Sequence, residues 1–273
     1  MIQELENQFL SVFGCTPEFS TFAPGRVNII GEHTDYNEGY VLPFAIHQGI
    51  WFLAAPNNSH RIHIIAANPQ EQIDIELPHI DIENAPDWYK FIHQVLKLYS
   101  DKNIIGFNAI YGGNLPIGAG ISSSSALTCG FITLIDEMNA FNTSVDDKIQ
   151  KAVTAERGHG VQGGIMDQFT ILNGRRDKAI LLDCRTNHPE YILLDTSEYT
   201  FYLINTQVKH NLIDTDYNQR HHECNLAVDW INLNHRPISS LRDIFIEELP
   251  ILKTKMDKIL FLRTSFVVEE NDR

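Results

Sequence analysis

Residues 23–44 read Ala-Pro-Gly-Arg-Val-Asn-Ile-Ile-Gly-Glu-His-Thr-Asp-Tyr-Asn-Glu-Gly-Tyr-Val-Leu-Pro-Phe, and they constrain this chain more than any other stretch. Both ends have strand character. Pro24-Gly25 and Asn37-Glu38-Gly39 are turn chemistry. Between the two strands stand four side chains able to hold a polyol: Arg26, Glu32, His33 and Asp35. The acids and the histidine fall on an irregular connection, where proteins usually display groups to a substrate. A solvated polar loop is the other reading. An arginine followed by three polar ligands in a glycine-bounded turn is dense for a loop that does nothing.

The remainder mixes helices and strands. Ile2, Leu5, Phe9, Leu10 and Phe13 recur at helical spacing and Gly14 ends the run. Strands are expected at 49–55, 61–66 and 72–77, the last alternating Ile73, Ile75 and Leu77 with polar residues. Residues 87–99 read as a helix with Trp88, Phe91, Ile92, Val95 and Leu98 on one side, and 105–111 as a strand. Helices follow up to about 138, over 145–157 and from about 164. Strands are expected at 178–183 and 201–205, then helix from 216 and through the tail at 244–270. No regular βαβ alternation is present, so the fold class is α+β rather than a doubly wound sheet. The domain junction falls between about 183 and 202, which divides the chain into 1–190 and 191–273.

Charge narrows the partners. The 273 residues carry a formal net charge of −14 and 43% hydrophobic residues. An acid excess disfavours nucleic acid and anionic membrane, but not a nucleotide met locally by backbone N–H groups and a few cations. Cys15, Cys129, Cys184 and Cys224 form no C-x-x-C pair and read as free thiols in a reducing cytosol. The start, Met1-Ile2-Gln3-Glu4-Leu5-Glu6, lacks the apolar core of a secretory signal, and no apolar run reaches the ~20 residues of a membrane helix. A soluble, cytoplasmic protein is expected.

Two further motifs carry chemistry. Gly118-Ala119-Gly120-Ile121-Ser122-Ser123-Ser124-Ser125-Ala126 follows a strand and opens an apolar helix. Glycines let the backbone approach an anion, and helix N-terminal N–H groups point at it with the positive end of the dipole behind them. A Ser cap after a Gly turn would look the same. The chain has no Gly-Lys-Ser/Thr and no His-Arg-Asp or Asp-Phe-Gly, so it is neither a P-loop protein nor a protein kinase. Gly163-Gly164-Ile165-Met166-Asp167-Gln168-Phe169 puts Asp167 in the first turn of a helix, where the dipole favours negative charge. On the residues alone, an acid that merely stabilises its own helix is the better reading of Asp167. His221, His222 and Cys224 suggest a metal, but consecutive helical residues point about 100° apart, so zinc is disfavoured.

Residues 24–43 closely resemble the galactokinase signature within the GHMP small-molecule kinases. The run from Pro116 through Ser124 resembles the second GHMP motif, Pro-x-Gly-x-Gly-Ile/Leu-Ser-Ser-Ser, with Ser125 where alanine is usual. Gly-Ile-Met-Asp-Gln-Phe matches galactokinases letter for letter, and Phe266-Val267-Val268-Glu269-Glu270-Asn271-Asp272-Arg273 echoes His-Val-Val-x-Glu-Asn-x-Arg. The resemblance implies a GHMP fold, two α+β domains with the active site in the cleft between them, and transfer of phosphate from ATP to the anomeric hydroxyl of D-galactose with Mg²⁺. It implies that Asp167 and Arg26 are catalytic, the aspartate as base or only as an orienting group. It implies that Glu32, His33, Thr34, Asp35, Gly164 and Tyr217 hold the sugar. By the same resemblance Gly118, Ala119, Gly120, Ile121, Ser122, Ser123 and Ser124 wrap the phosphates. Trp88 lies near adenine, though Lys90, Phe91 and Gln94 depart from the family and a core role fits it as well. Ser124 and Glu156 would be metal ligands; Glu156 precedes Asp167 by one position fewer than usual.

Two rivals share these motifs: a kinase for N-acetylgalactosamine or arabinose, and a galactose- and ATP-binding regulator without turnover. Galactokinases also continue past the Asn-Asp-Arg at 271–273 into a third Gly-rich motif, and no glycine follows Gly174 here. A monomer is expected at full family length. For this chain the expectation is weak or no activity and self-association, with Leu260, Leu262, Phe266 and Val267 lacking partners.

Overall fold

The computed structural model describes all residues except Ile82, Thr196, Glu198 and 207–215. In order, the elements are α1 (Ile2–Phe13), β1 (Phe19–Asn28), β2 (Tyr40–Val41), β3 (Pro43–Pro56), β4 (Arg61–Ala66), β5 (Glu71–Glu76), α2 (Asp87–Lys97), β6 (Phe107–Gly113), α3 (Ser123–Met138), α4 (Val145–Gly158), α5 (Met166–Asn173), β7 (Lys178–Asp183), β8 (His188–Leu193), α6 (Asp216–Asn234), α7 (Leu249–Lys255) and α8 (Lys258–Asp272). Short 3₁₀ turns lie at Asp35–Asn37, Leu241–Asp243 and Ile246–Glu248. The chain forms two compact units that interleave along the sequence. The first contains Met1–Arg26, Ile46–His159 and Ile171–Asn173; the second contains Val27–Ala45, Gly160–Thr170 and Gly174–Arg273.

The first unit is built on a five-stranded mixed sheet in the order β1-β3-β6-β4-β5. β3 runs antiparallel to β6, and β4 runs parallel to β6 with α2 in the connection. Its central strands are buried on both faces, which explains their nearly unbroken apolar runs. Successive residues point to opposite sides. Phe52 and Ala54 of β3, Ile62 and Ile64 of β4, and Phe107 and Ala109 of β6 join a core shared with α2, α3 and α4. Leu53, Ala55, Ile65 and Ile110 turn the other way and pack on Leu5 and Phe9 of α1. Gly14 closes α1 in the left-handed region, φ 71°, its N–H donating to the Leu10 carbonyl. α3 is buried along most of its length, so it is a core helix rather than an amphipathic surface helix.

The second unit has a three-stranded sheet, β2-β7-β8, antiparallel throughout, and the helices α6, α7 and α8. Its own core gathers Cys224, Ala227 and Ile231 of α6, Leu241, Ile244, Leu249, Leu252 and Met256, and Val267 and Val268 of α8. This corrects the expectation that the apolar tail lacks partners: Val267 is fully buried and Leu260 packs against this core, whereas Leu262 and Phe266 are exposed. The expected strand at 201–205 is not formed either. Residues 201–206 make no ladder among the described residues, and Tyr202 and Ile204 are exposed. The apolar run has strand propensity, but the edges of the β2-β7-β8 sheet are β2 and β8, and among the described residues neither pairs with it. β8 itself was not foreseen. It contains Pro189, which an outer strand tolerates because one side of its backbone needs no partner. Among the described residues no helix is long and apolar enough to cross a membrane.

Candidate functional site

The residues singled out in the sequence divide between the two units. In the first, Arg26 ends the first segment and is bound to the Gly/Ser loop twice. Its N–H donates to the Ile121 carbonyl at 3.2 Å, and its Nη1 donates to the Gly120 carbonyl at 2.8 Å. Gly118 and Gly120 adopt φ of 71° and 74°, a region that side chains resist, and so fold the loop back toward the first turn of α3. Ser122 occupies the N-cap position at φ 61° and its side chain makes no capping bond. The Ser cap that would have explained this motif without a ligand is therefore absent. Ala126 N–H donates to the Ser122 carbonyl at 2.9 Å and begins the helix.

Ser124 stands in that first turn, half-buried, and Glu156 is buried on α4, a helix packed with α3 through the common core. A hydroxyl and a carboxylate are hard oxygen donors, the kind Mg²⁺ takes. Among the described residues no three His, Cys, Asp or Glu side chains converge on one point. Trp88 lies half-buried with its Nε1 donating to Glu71 Oε2 at 2.7 Å and its ring edge-on to Tyr111 at 5.5 Å.

The second unit holds the signature loop, the Gly163-Gly164 turn with Asp167, and the start of α6. Ile29 N–H to Leu42 carbonyl and Leu42 N–H to Ile30 carbonyl, both 3.0 Å, close the base of the loop. Asn37 Nδ2 donates to the His33 carbonyl at 2.8 Å. Thr34 is fully buried, and its hydroxyl serves the Gly31 and Tyr40 carbonyls at 2.8 and 2.6 Å. This side chain was expected among the sugar contacts. The structure turns it inward, where it staples the loop, because a hydroxyl in a dry interior has to find carbonyl partners.

Asp35 begins the 3₁₀ turn and faces Gly164. A Cβ on Gly164 would collide with the Asp35 carboxylate and come within 2.8 Å of its backbone carbonyl carbon. The close approach is therefore available only to glycine. Gly164→Ala should raise the KM for the sugar about 10–100-fold, because displacements of an ångström in a binding group cost this much. The KM for the phosphate donor should stay put. Steady-state kinetics with each substrate varied in turn checks this; an unchanged sugar KM would refute it.

His33 sits at φ 64°, uncommon for a residue with a side chain. Its Nδ1 is 2.7 Å from the Tyr36 hydroxyl, and its ring meets Tyr36, Tyr217 and Phe266 at 5.8, 5.5 and 6.2 Å. Burial lowers its pKa, with Arg220 and Arg263 adding to that and Glu32 opposing it. The imidazole is accordingly neutral at pH 7 and can both donate and accept. Glu32 is exposed and accepts from Asn28 Nδ2 at 2.9 Å.

Tyr217, at the start of α6, reaches the same cluster. It lies 5.7 Å from the Tyr36 ring, with its hydroxyl 3.8 Å from where a Cβ on Gly163 would stand. The motif preceding it, 207–211, lies outside the described residues. Asn218 was not singled out in the sequence. Its side chain accepts from Gln162 N–H at 3.1 Å and donates to the Gly160 carbonyl at 2.9 Å, which fixes the turn leading to Asp167. Adjacency to Tyr217 was the one available hint. Asp167 occupies the first turn of α5, half-buried, as its position in the sequence required.

Comparison with known proteins agrees with this arrangement. The model of the galactokinase galactose-binding signature matches residues 7–56, and that of the GHMP kinases N terminal domain matches residues 89–175. A galactokinase of Clostridium tetani is 33% identical over the whole of this chain, which spans 70% of that protein. A galactokinase of Thermotoga maritima is 37% identical over 92% of this chain and 68% of its own length. The crystal structure of Lactococcus lactis galactokinase complexed with galactose superposes with a TM-score of 0.89 at 28% identity, covering 99% of this chain and 72% of that one. With signature loop, Gly/Ser loop and aspartate helix all matched in sequence and in fold, the chain belongs to the galactokinase family of the GHMP kinases.

Proposed function

We propose that this protein transfers the γ-phosphoryl group of ATP to the anomeric hydroxyl of D-galactose, giving galactose 1-phosphate and ADP. The observation that carries the reading is the convergence of Asp35, Gly164, His33 and Tyr217 on the signature loop in one unit. The Lactococcus lactis relative is a complex with galactose, and we carry that ligand to these residues. Glu32 and Asp35 would accept sugar hydroxyls, neutral His33 would donate or accept, and Gly164 would bring its backbone against the ring. Tyr217 would close the aromatic side.

Phosphoryl transfer asks the protein for positioning and charge neutralisation more than for covalent chemistry. Asp167 orients the anomeric hydroxyl and takes up its proton. Arg26 offsets negative charge on the transferring group. The Gly118–Ser124 backbone cradles the phosphates and Trp88 borders the adenine. Ser124 and Glu156 would hold Mg²⁺, which supplies charge neutralisation at the phosphate oxygens when bound.

A coupled ADP assay over a panel of free sugars tests the reading. Galactose-dependent ADP release, larger than with N-acetylgalactosamine or arabinose, is the expected result. Galactose binding without ADP release would mark a sensor instead, and preference for another sugar would reassign the substrate.

A further inference from the structure

Gly31 and Glu32 head the signature loop, and their backbone N–H groups both donate to one carboxylate oxygen, Glu270 Oε1, at 2.7 and 3.1 Å. The other oxygen accepts from Arg273 Nη2 at 2.6 Å. One position along α8, Asn271 Oδ1 accepts the Tyr40 N–H at 2.9 Å and stands 2.7 Å from where a Cβ on Gly39 would be. The end of α8 therefore grips both rims of the loop between 31 and 40. The Glu270 side chain is 8% exposed. Burial pushes its carboxyl up, but the Gly31 and Glu32 N–H groups and Arg273 outweigh it and draw the group below the usual range. Glu270 is thus ionised at neutral pH, and charge-assisted bonds of this kind are about twice as strong as neutral ones. Inside the loop His33 and Glu38 stand at φ 64° and 60°, conformations that persist only where the surroundings enforce them.

We infer that Glu270 is a positioning residue for the sugar: by fixing the Gly31 and Glu32 amides it aims Glu32, His33 and Asp35, and the motif at 266–273 exists to hold that loop. The inference rests on the galactokinase reading for what the loop binds, but the clamp itself is independent of that reading. Truncation of the carboxylate removes the shared acceptor of the Gly31 N–H, which is buried, and of the Glu32 N–H, which is exposed, and lets the loop relax toward ordinary backbone. The phosphate loop and α3 belong to the first unit, so donor binding should be spared.

The test compares the unmodified protein with Glu270→Ala and Glu270→Gln. In Glu270→Ala the galactose KM should rise roughly tenfold or more, the size expected for loss of bonds to a charged group. The ATP KM should move less than about twofold and kcat less than about threefold. Amide exchange in peptides covering 29–40 should accelerate roughly tenfold while the β4–β6 peptides stay protected. Glu270→Gln, which keeps one accepting oxygen, should recover part of both effects. Equal rises in both KM values, or loop exchange unchanged in Glu270→Ala, would overturn the inference. If the unmodified protein released no ADP with galactose, the substrate reading would fall, and the exchange comparison would still decide the clamp.

Discussion

Asp167→Asn should lower galactose-dependent ADP release by roughly 10²–10⁴-fold, the range for loss of a general acid–base group. The change is nearly isosteric and replaces a basic carboxylate with an amide that cannot take up a proton at neutral pH. Asparagine is also tolerated in the first turn of a helix, so α5 should form as before. The Phe169 N–H to Ile165 carbonyl bond, 2.9 Å, and the Thr170 hydroxyl to Met166 carbonyl bond, 2.6 Å, do not involve the carboxylate. Galactose and ATP affinities measured by calorimetry should therefore change little while turnover collapses. Activity above a few per cent of that of the unmodified chain would show that another group takes the proton, or that orientation alone suffices.

Arg242→Ala should lower the stability of the second unit by about 2 kcal/mol, less than removing one member of a fully buried ion pair costs, because this pair is partly buried. Arg242 donates to both Asp183 oxygens, one of them at 3.0 Å, and to the Glu38 carbonyl at 2.7 Å, and it lies 4.3 Å over the Tyr40 ring. Side-chain exposures of 14% for Arg242 and 18% for Asp183 leave little water to replace it. Beside it Arg185 binds Glu38 and Asp243 at 2.8 and 2.7 Å, so the loss spreads through a network rather than one bond. The bond from Arg242 draws the Asp183 carboxyl below its ordinary value. A depressed carboxylate pKa stabilises the fold above the unfolded-state value, about 3.9, and the contribution fades as pH falls through the folded-state value. The deficit of the variant should thus be complete at pH 7 and shrink below about pH 4. Urea titrations read by Trp230, with Trp51 and Trp88 replaced by Phe, isolate this unit. A deficit under about 1 kcal/mol at pH 7, or one that does not shrink in acid, would refute the assignment.

What the sequence made legible was local. The helix ending at Gly14, the alternation of Ile73 and Ile75, and the two positive-φ glycines at 118 and 120 depend on neighbours a few positions away. The strand–loop–strand plan around Glu32, His33 and Asp35 could be read for the same reason. Roles set by distant partners could not. Asn218 acts on Gly160 and Gln162, Arg242 on Glu38, and Glu270 on Gly31, and none of these pairs leaves a periodic trace. Inside an irregular loop no period says which side chain turns inward, so Thr34 and Asp35 looked alike until the Thr34 hydroxyl was found bonded to the Gly31 and Tyr40 carbonyls. At 201–205 strand propensity was real, but pairing is decided by distant strands and none of the described ones takes it up.

The bond between Gly31 and Glu270 joins residues 239 positions apart. During synthesis, which proceeds from the N-terminus at roughly 5–20 residues per second, every chemical group assigned to the sugar from the first forty residues leaves the ribosome long before its anchor does. For most of that interval the signature loop has its ligands but neither carboxylate nor amide to hold its rims. A nascent chain that stops anywhere short of α8 would carry the letters of the sugar motif without its shape, so competence for the sugar arrives late in synthesis.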